Sequence, residues 1–266
     1  MIDTHCHLTS RVFAGREPAV ADAAEAAGVR AMITIAVGSA DAERALAIAS
    51  VDPRVFCSAG VHPLHCGEPI DWEVLRRVGA HPRCVAWGEL GLDRHYPTPS
   101  LAAQRDVLEA QLGHLAAWTA EGLAKPIVVH SRKAVADLLP ILAASGLPRE
   151  RFVFHCFTEG PDAARAVLDF GAAISFTGVV TFRGAPEVAE AAALVPLDRL
   201  MVETDSPYLT PEPHRTVRPN EPRFVGLVAR RLAELRRIDP TEMERLLDAN
   251  ASRFFGLDRA AGGPLS

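Results

Sequence analysis

No run of apolar residues approaches the roughly 18 to 20 that a membrane-spanning helix needs, and the first residues lack the basic-then-apolar pattern of a secretory signal. Both absences point to a soluble protein of the cytoplasm. The five cysteines, Cys6, Cys57, Cys66, Cys84 and Cys156, are odd in number and form no CxxC pair, which excludes a disulfide framework and a structural zinc knuckle. Lysine is nearly missing: Lys125 and Lys133 are the only two among 28 basic side chains. With a net charge of −5, the molecule has no broad basic footprint for holding nucleic acid through many phosphate contacts. Any phosphate recognition has to be local. Low-complexity linkers and charge blocks are also absent, so one domain spanning 1–266 is expected, with the oligomeric state left open. The terminal "RAAGGPLS" reads as a frayed end.

What is present is a repeat of short Val-, Ile-, Phe- and Ala-rich runs, each followed by a longer amphipathic stretch. Strands are predicted near 1–7, 31–37, 55–61, 84–89, 126–130, 151–156, 172–177 and 200–205. Helices are predicted near 17–28, 40–50, 71–79, 100–122, 133–145, 160–170, 185–195 and 221–235, with a last one near 240–255. Eight strand-helix units in a chain of 266 residues specify an α/β fold: a single (β/α)8 TIM-type barrel with an extra C-terminal helix. A doubly wound open sheet of this length would use fewer strands.

Barrel enzymes place their chemistry at the C-terminal ends of strands, where the loops converge. Five of the ten histidines, His5, His7, His62, His130 and His155, fall at such ends, joined by Glu89 in "GELGLD" and Asp205 in "ETDSP". Two residues apart on an extended strand, His5 and His7 face the same way while Cys6 faces the other; Cys6 and Cys156 therefore read as small buried apolar residues. Four imidazoles, His5, His7, His130 and His155, with Glu89 and Asp205 supply the nitrogen and oxygen ligands of a two-metal hydrolytic site. Several binuclear barrels bridge their metals with a carbamylated lysine at the end of the fourth strand, but here that position is Glu89, a carboxylate that can bridge directly. Asp205 can ligate a metal and accept the proton of an attacking water, its bland alternative being a helix or turn cap. Glu203 and Asp3 lie one layer deeper, in supporting rather than ligating positions. His62 is read as a substrate contact, with a structural role as its alternative. Arg132 is a candidate anion grip, and Arg218 and Asn220 belong to the loop "HRTVRPNEPRF", where barrels often bind phosphate; a solvated arginine and an ordinary surface loop are the bland readings.

With these residues in view, the chain resembles the TatD family of metal-dependent deoxyribonucleases, a branch of the amidohydrolase-like barrels. The resemblance rests on "DTHCHL" at 3–8, "GVHP" at 60–63, "GELGLD" at 88–93, "VVHSR" at 128–132, "FHCF" at 154–157, "ETDSPYL" at 203–209 and "RPNEP" at 218–222. It implies one metal on His5, His7 and Asp205, a second on His130 and His155, and Glu89 between them. It also implies hydrolysis of DNA phosphodiesters, with 3′ to 5′ exonuclease action on single strands. Three departures stand out: Leu64 separates "GVHP" from His65, Glu159 enters an "HCFTEG" loop and adds negative charge near the mouth, and "RTVRPNEP" lacks the family's lysine.

Two divalent ions are the expected cofactors. Four imidazoles favour zinc or manganese, while the family's activity is associated with magnesium. In this reading Asp205 receives the proton while Arg132, His62 and Arg218 steady the developing charge. A metal-dependent deacylase or amidase, acting for example on D-aminoacyl-tRNA, is the first alternative, since an activated water attacks carbonyl carbon as well. A noncatalytic metal-binding barrel is the second.

Overall fold

The computed structural model describes residues 1–257; the 259–266 tail lies outside the described residues. Eight strands, β1 (Ile2–Cys6), β2 (Ala31–Thr34), β3 (Val55–Ala59), β4 (Cys84–Asp93), β5 (Ile127–Arg132), β6 (Phe152–Phe154), β7 (Ala173–Phe176) and β8 (Leu200–Val202), form one parallel sheet in chain order. A bridge between Cys6 and Ser206 brings the last strand back to the first, with Asp205 N donating to His5 O at 2.9 Å and His7 N to Ser206 O at 2.7 Å. The helices between them are α1 (Glu17–Ala26), α2 (Ser39–Val51), α3 (Trp72–Ala80), α4 (Leu101–Ala120), α5 (Val135–Ala144), α6 (Pro161–Phe170), α7 (Pro186–Leu194) and α8 (Val225–Arg236). Helix α9 (Pro240–Phe255) follows as the extra helix. Helix starts are set by local chemistry: Asp71, Ser100 and Asp239 accept backbone N–H groups from the first turns of α3, α4 and α9. None of the described helices is long and apolar enough to cross a membrane.

The core divides into two layers by the period-2 alternation of a strand. Met32, Cys57, Val129, Phe154 and Val202 point outward into the cluster under the helices, while Ile33, Phe56, Val128, Val153 and Met201 fill the barrel interior. Helix α9 completes that inner cluster from below with Ala251 and Phe255, followed by Leu257. Asp248 of the same helix accepts the Ile2 N–H at 2.8 Å, and Asn250 donates to the Leu200 carbonyl at 2.9 Å. Burying a side chain such as Phe255 is worth about 1.5–3 kcal/mol. The extra helix thus plugs the N-terminal end of the barrel, and the opposite end is left for chemistry.

Two strand boundaries matter for the site. β4 runs to Asp93, four residues past the 84–89 expected, whereas β6 and β8 stop at Phe154 and Val202, short of the 156 and 205 expected. His155 and Asp205 therefore sit just beyond their strands, on backbone held by neighbouring carbonyls.

Candidate metal centre

The interior rows lead directly to the ligands. Two residues above Val128 on β5 is His130, two above Val153 on β6 is His155, and two and four above Met201 are Glu203 and Asp205. On β1 the register against β2 gains one residue between Asp3 and Cys6, a bulge that leaves Cys6 packed outward and His5 fully buried inward. A second bulge lies between Trp87 and Leu90 of β4, at Glu89. Gly88 and Gly91 flank it with φ of +103° and +153°, and a Cβ on either would collide with the Val128 or His130 carbonyl oxygen. Glycine at both positions lets β4 press against β5 and turn Glu89 into the barrel.

Glu89 is 2% exposed and sits at the centre of the cluster. Its Oε1 lies 2.5 Å from His130 Nδ1, 2.7 Å from His155 Nε2 and 3.2 Å from His62 Nε2. Its Oε2 lies 3.4 Å from His5 Nε2 and 3.9 Å from His7 Nε2. Asp205 Oδ1 stands 3.2 Å from His7 Nε2 and 3.6 Å from His5 Nε2. The six side chains expected as ligands are thus brought together. Three groups have ligand atoms within 4.8 Å of one another: His5, His7 and Asp205; His62, Glu89 and His130; and His5, His155 and Glu203.

Divalent cations fit this donor set. Nε2 of His5 and Nε2 of His7 face each other at 3.2 Å, and Glu89 Oε2 is buried without a hydrogen-bond partner. A buried, unpaired carboxylate oxygen is costly, and so is a close pair of ring nitrogens with nothing positive between them. A cation satisfies both, with imidazole nitrogen and carboxylate oxygen suiting zinc or manganese.

Outer partners decide which ring nitrogen is left for a metal. His130 Nε2 lies 3.1 Å from Asp93 Oδ2, freeing Nδ1 toward Glu89. His155 Nδ1 lies 3.5 Å from Glu203 Oε1, freeing Nε2. His7 Nδ1 lies 3.1 Å from the Ile35 carbonyl, also freeing Nε2. The His130 and His7 contacts are the arrangement that orients metal-ligating histidines in general, whereas His155 Nδ1 is near Glu203 without a hydrogen bond to it. Glu203, expected as a supporting group, also accepts from Cys156 N at 2.5 Å and Ser175 Oγ at 2.6 Å. Asp93 was missed, because reading β4 as ending at Glu89 placed it in a loop. Its signal was the "GELGLD" spacing, which on a strand continued past the bulge returns an acid to the mouth.

Electrostatics follow from the packing. Burial alone would raise the Glu89 carboxyl, but His155, His62 and His130 outweigh it and hold it well below the usual range. Asp205 is likewise lowered, against burial, by His7 and His5. Burial also opposes the charge on His7, His130 and His155, yet the adjoining carboxylates raise all three. Burial and His155 lower His5. His62 drops to about 4, through burial and the neighbouring His130 against the pull of Glu89. Its Nδ1 accepts the Leu64 N–H at 3.0 Å, so a neutral ring carries its proton on Nε2 and acts as a donor.

The remaining site candidates fare differently. Arg132 ends β5 with its guanidinium 5.4 Å above the Tyr96 ring. Asn220, expected to contact substrate, is fully buried, its amide donating to Thr204 O and Tyr208 O and accepting from Glu221 N, so that it ties the loop to Asp205's neighbours. Arg218 spends its Nη1 on Thr210, Arg215 and Val217 within the same loop, so that nitrogen holds the loop's shape rather than an anion. Glu159 Oε1 accepts from Ser131 Oγ and from the Ala134 and Val135 N–H groups at the start of α5, so its charge sits on a helix N-terminus. Asp205 turns its carboxylate to His5 and His7, and among the described residues it accepts no capping N–H. Cys6 is buried among apolar neighbours, whereas Cys156 is only partly buried, at a positive φ of 46° past the end of β6.

Comparison with known proteins agrees with this geometry. The family model described as TatD related DNase matches residues 2–256. The uncharacterized metal-dependent hydrolase YcfH of Escherichia coli K12 is 38% identical over 273 residues, covering 97% of this chain and 96% of the relative. The 3′-5′ ssDNA/RNA exonuclease TatD of Pantoea vagans is 35% identical over 269 residues, covering 97% and 100%. Among solved structures, the TatD homolog YJJV of Escherichia coli superposes with a TM-score of 0.87 at 30% identity, covering 96% of this chain and 98% of the other. The chain belongs to the TatD-related DNase family of metal-dependent hydrolases.

Proposed function

We propose that this hydrolase cleaves phosphodiester bonds of DNA, removing nucleotides from the 3′ ends of single strands. The observation that carries the reading is the buried carboxylate of Glu89, ringed by five imidazoles, with Asp205 against two of them, His5 and His7, at the open end of the barrel. His5, His7 and Asp205 would hold one divalent ion, His130 and His155 a second, and Glu89 both. Bound there, the ions supply a water of lowered pKa and polarise a phosphoryl oxygen.

The chain's own groups do the rest. Asp205, lowered by His7 and His5, is ionised and placed to take the proton of the attacking water. His62 donates from Nε2 to a phosphoryl oxygen, and Arg132 supplies a planar cation at the rim. The two tyrosines of the sequence, Tyr96 and Tyr208, are 47% and 58% exposed beside Arg132 and His7. Exposed aromatic rings suit stacking of unpaired bases, which favours a single strand over a duplex.

The test is turnover of a 3′-labelled single-stranded oligonucleotide by purified protein with manganese, zinc or magnesium restored in turn, alongside a blunt duplex, cyclic amides and aminoacyl-tRNA. Saturable shortening of the single strand from its 3′ end is expected. Saturation by an amide or aminoacyl ester alone would overturn the reading in favour of a deacylase.

A further inference from the structure

A second concentration of positive charge lies at the end of the barrel remote from the metal ligands. A cavity of about 420 Å³ opens there between the starts of the later strands and α9. Lys125 stands two residues before β5, Arg151 immediately before β6 and Arg199 immediately before β8, while Arg253 projects from α9. Elsewhere some exposed arginines are neutralised, as in Arg76 with Glu121 at 2.8 Å, Arg94 with Asp137 at 2.6 Å and Arg105 with Glu109 at 2.7 Å, and others stand singly on the surface rather than gathered round a cavity. Among the described residues none of the four cavity cations has a carboxylate within 4.0 Å. Glu150 and Asp198 also line the cavity, but as exposed residues at the rim, so positive charge predominates locally in a chain of net charge −5.

The cations are held in place without being used up. Lys125 Nζ donates to Cys84 O at 2.7 Å, Arg199 Nη1 to Leu168 O at 2.9 Å, and Arg253 Nη2 to Asn250 Oδ1 at 2.8 Å and Asp198 O at 3.0 Å. An ammonium has three donors and a guanidinium five, so each keeps N–H groups to offer. Arg151 Nη1 is buried and has no hydrogen-bond partner at all. That nitrogen is closed off from the cavity's open space, so an oxyanion there meets the remaining N–H groups of Arg151, a half-buried residue of the lining.

We propose that this cavity is a binding site for a small phosphate-bearing ligand of nucleotide size, separate from the metal centre. Its volume exceeds the need of one orthophosphate and falls in the range of small-molecule sites. Phe254 and Met201 give it an apolar wall against which a ring can lie while the phosphates meet the arginine forks. The proposal does not depend on the phosphodiesterase reading.

The test is calorimetric titration of the full chain, dialysed against a chelator, with inorganic pyrophosphate and with adenosine diphosphate. Binding of one equivalent is expected, weakened at least about tenfold by Arg151→Gln or Arg199→Gln, the loss of one charge-assisted hydrogen bond. Glu89→Gln, at the other end of the barrel, should leave it unchanged. Tighter binding of the nucleotide assigns the apolar wall to its base, and tighter binding of pyrophosphate assigns the site to an inorganic polyanion; both support a phosphate site. No heat with either probe, or equal affinity in the arginine variants, overturns it. Should a buried-arginine variant lose its cooperative melting, Arg253→Gln on the exposed face of α9 gives the same readout.

Discussion

Glu89→Gln removes one charge from the middle of the cluster while keeping shape and volume, so it isolates the electrostatic role of that residue. At an effective dielectric of about 20, two unit charges about 4 Å apart interact by about 4 kcal/mol, so a dication gains about 8 kcal/mol from this carboxylate. At about 1.4 kcal/mol per decade that is between five and six orders of magnitude, roughly, in the dissociation constant. The glutamine oxygen and water recover part of it, which leaves an expected loss of at least ~10³-fold in metal affinity, beyond the roughly 10- to 100-fold of an outer partner. Because Glu89 faces both ligand groups, both ions should be lost, and hydrolysis with them. The assay is metal content after gel filtration against buffered free manganese, with oligonucleotide turnover and thermal melting on the same samples. Two equivalents retained by a folded, active Glu89→Gln protein would refute the reasoning.

Three further outcomes follow from the same geometry. Asp93→Asn keeps the fold but loses the charge that orients His130, so metal affinity measured by competition with a chromogenic chelator should fall about 10- to 100-fold; an unchanged affinity would make Asp93 a bystander. His7, His130 and His155 are raised by their carboxylates, so in metal-free protein they hold protons near neutrality, and metal binding must displace them. Affinity should therefore weaken as pH falls through neutrality, with protons released, and calorimetric heats that do not vary with the buffer's ionisation enthalpy would contradict this. Burial raises the Asp3 carboxyl from 3.8 to about 8, against the hydrogen bonds from Thr204. The folded chain keeps that proton where the unfolded chain has lost it, so this group's contribution to stability is full below the unfolded value and drains away as pH climbs to about 8. Asp3→Asn should melt increasingly above the parent, both metal-free, across that window, and a difference independent of pH would rule the effect out.

Much of the site could be read from the chain because barrel geometry turns order into place. His130, His155 and Asp205 each follow an apolar strand at the right parity, and His5 and His7 sit at the end of the first. A carboxylate at the end of the fourth strand, in a chain with two lysines, was enough to expect Glu89 in place of a carbamate. What could not be read depended on contacts between distant segments. The bulge that turns Glu89 inward requires β5 to press against Gly88 and Gly91, and without it the strand seemed to end before Asp93. Arg218 and Asn220 carry polar groups suited to a ligand, yet the loop consumes much of them in its own folding, which composition does not reveal. Helix α9 was visible as a ninth helix, but its function as the barrel's lower plug rests on Phe255 joining the interior cluster that also holds Ile33 and Phe56. The basic cavity is built from Lys125, Arg151, Arg199 and Arg253, which no local pattern links.

The most direct test of the account is anomalous diffraction at the manganese edge from crystals of the manganese-loaded protein. It predicts two peaks on either side of Glu89, one beside His5, His7 and Asp205 and one beside His130 and His155. A single peak, or peaks away from Glu89, would contradict it.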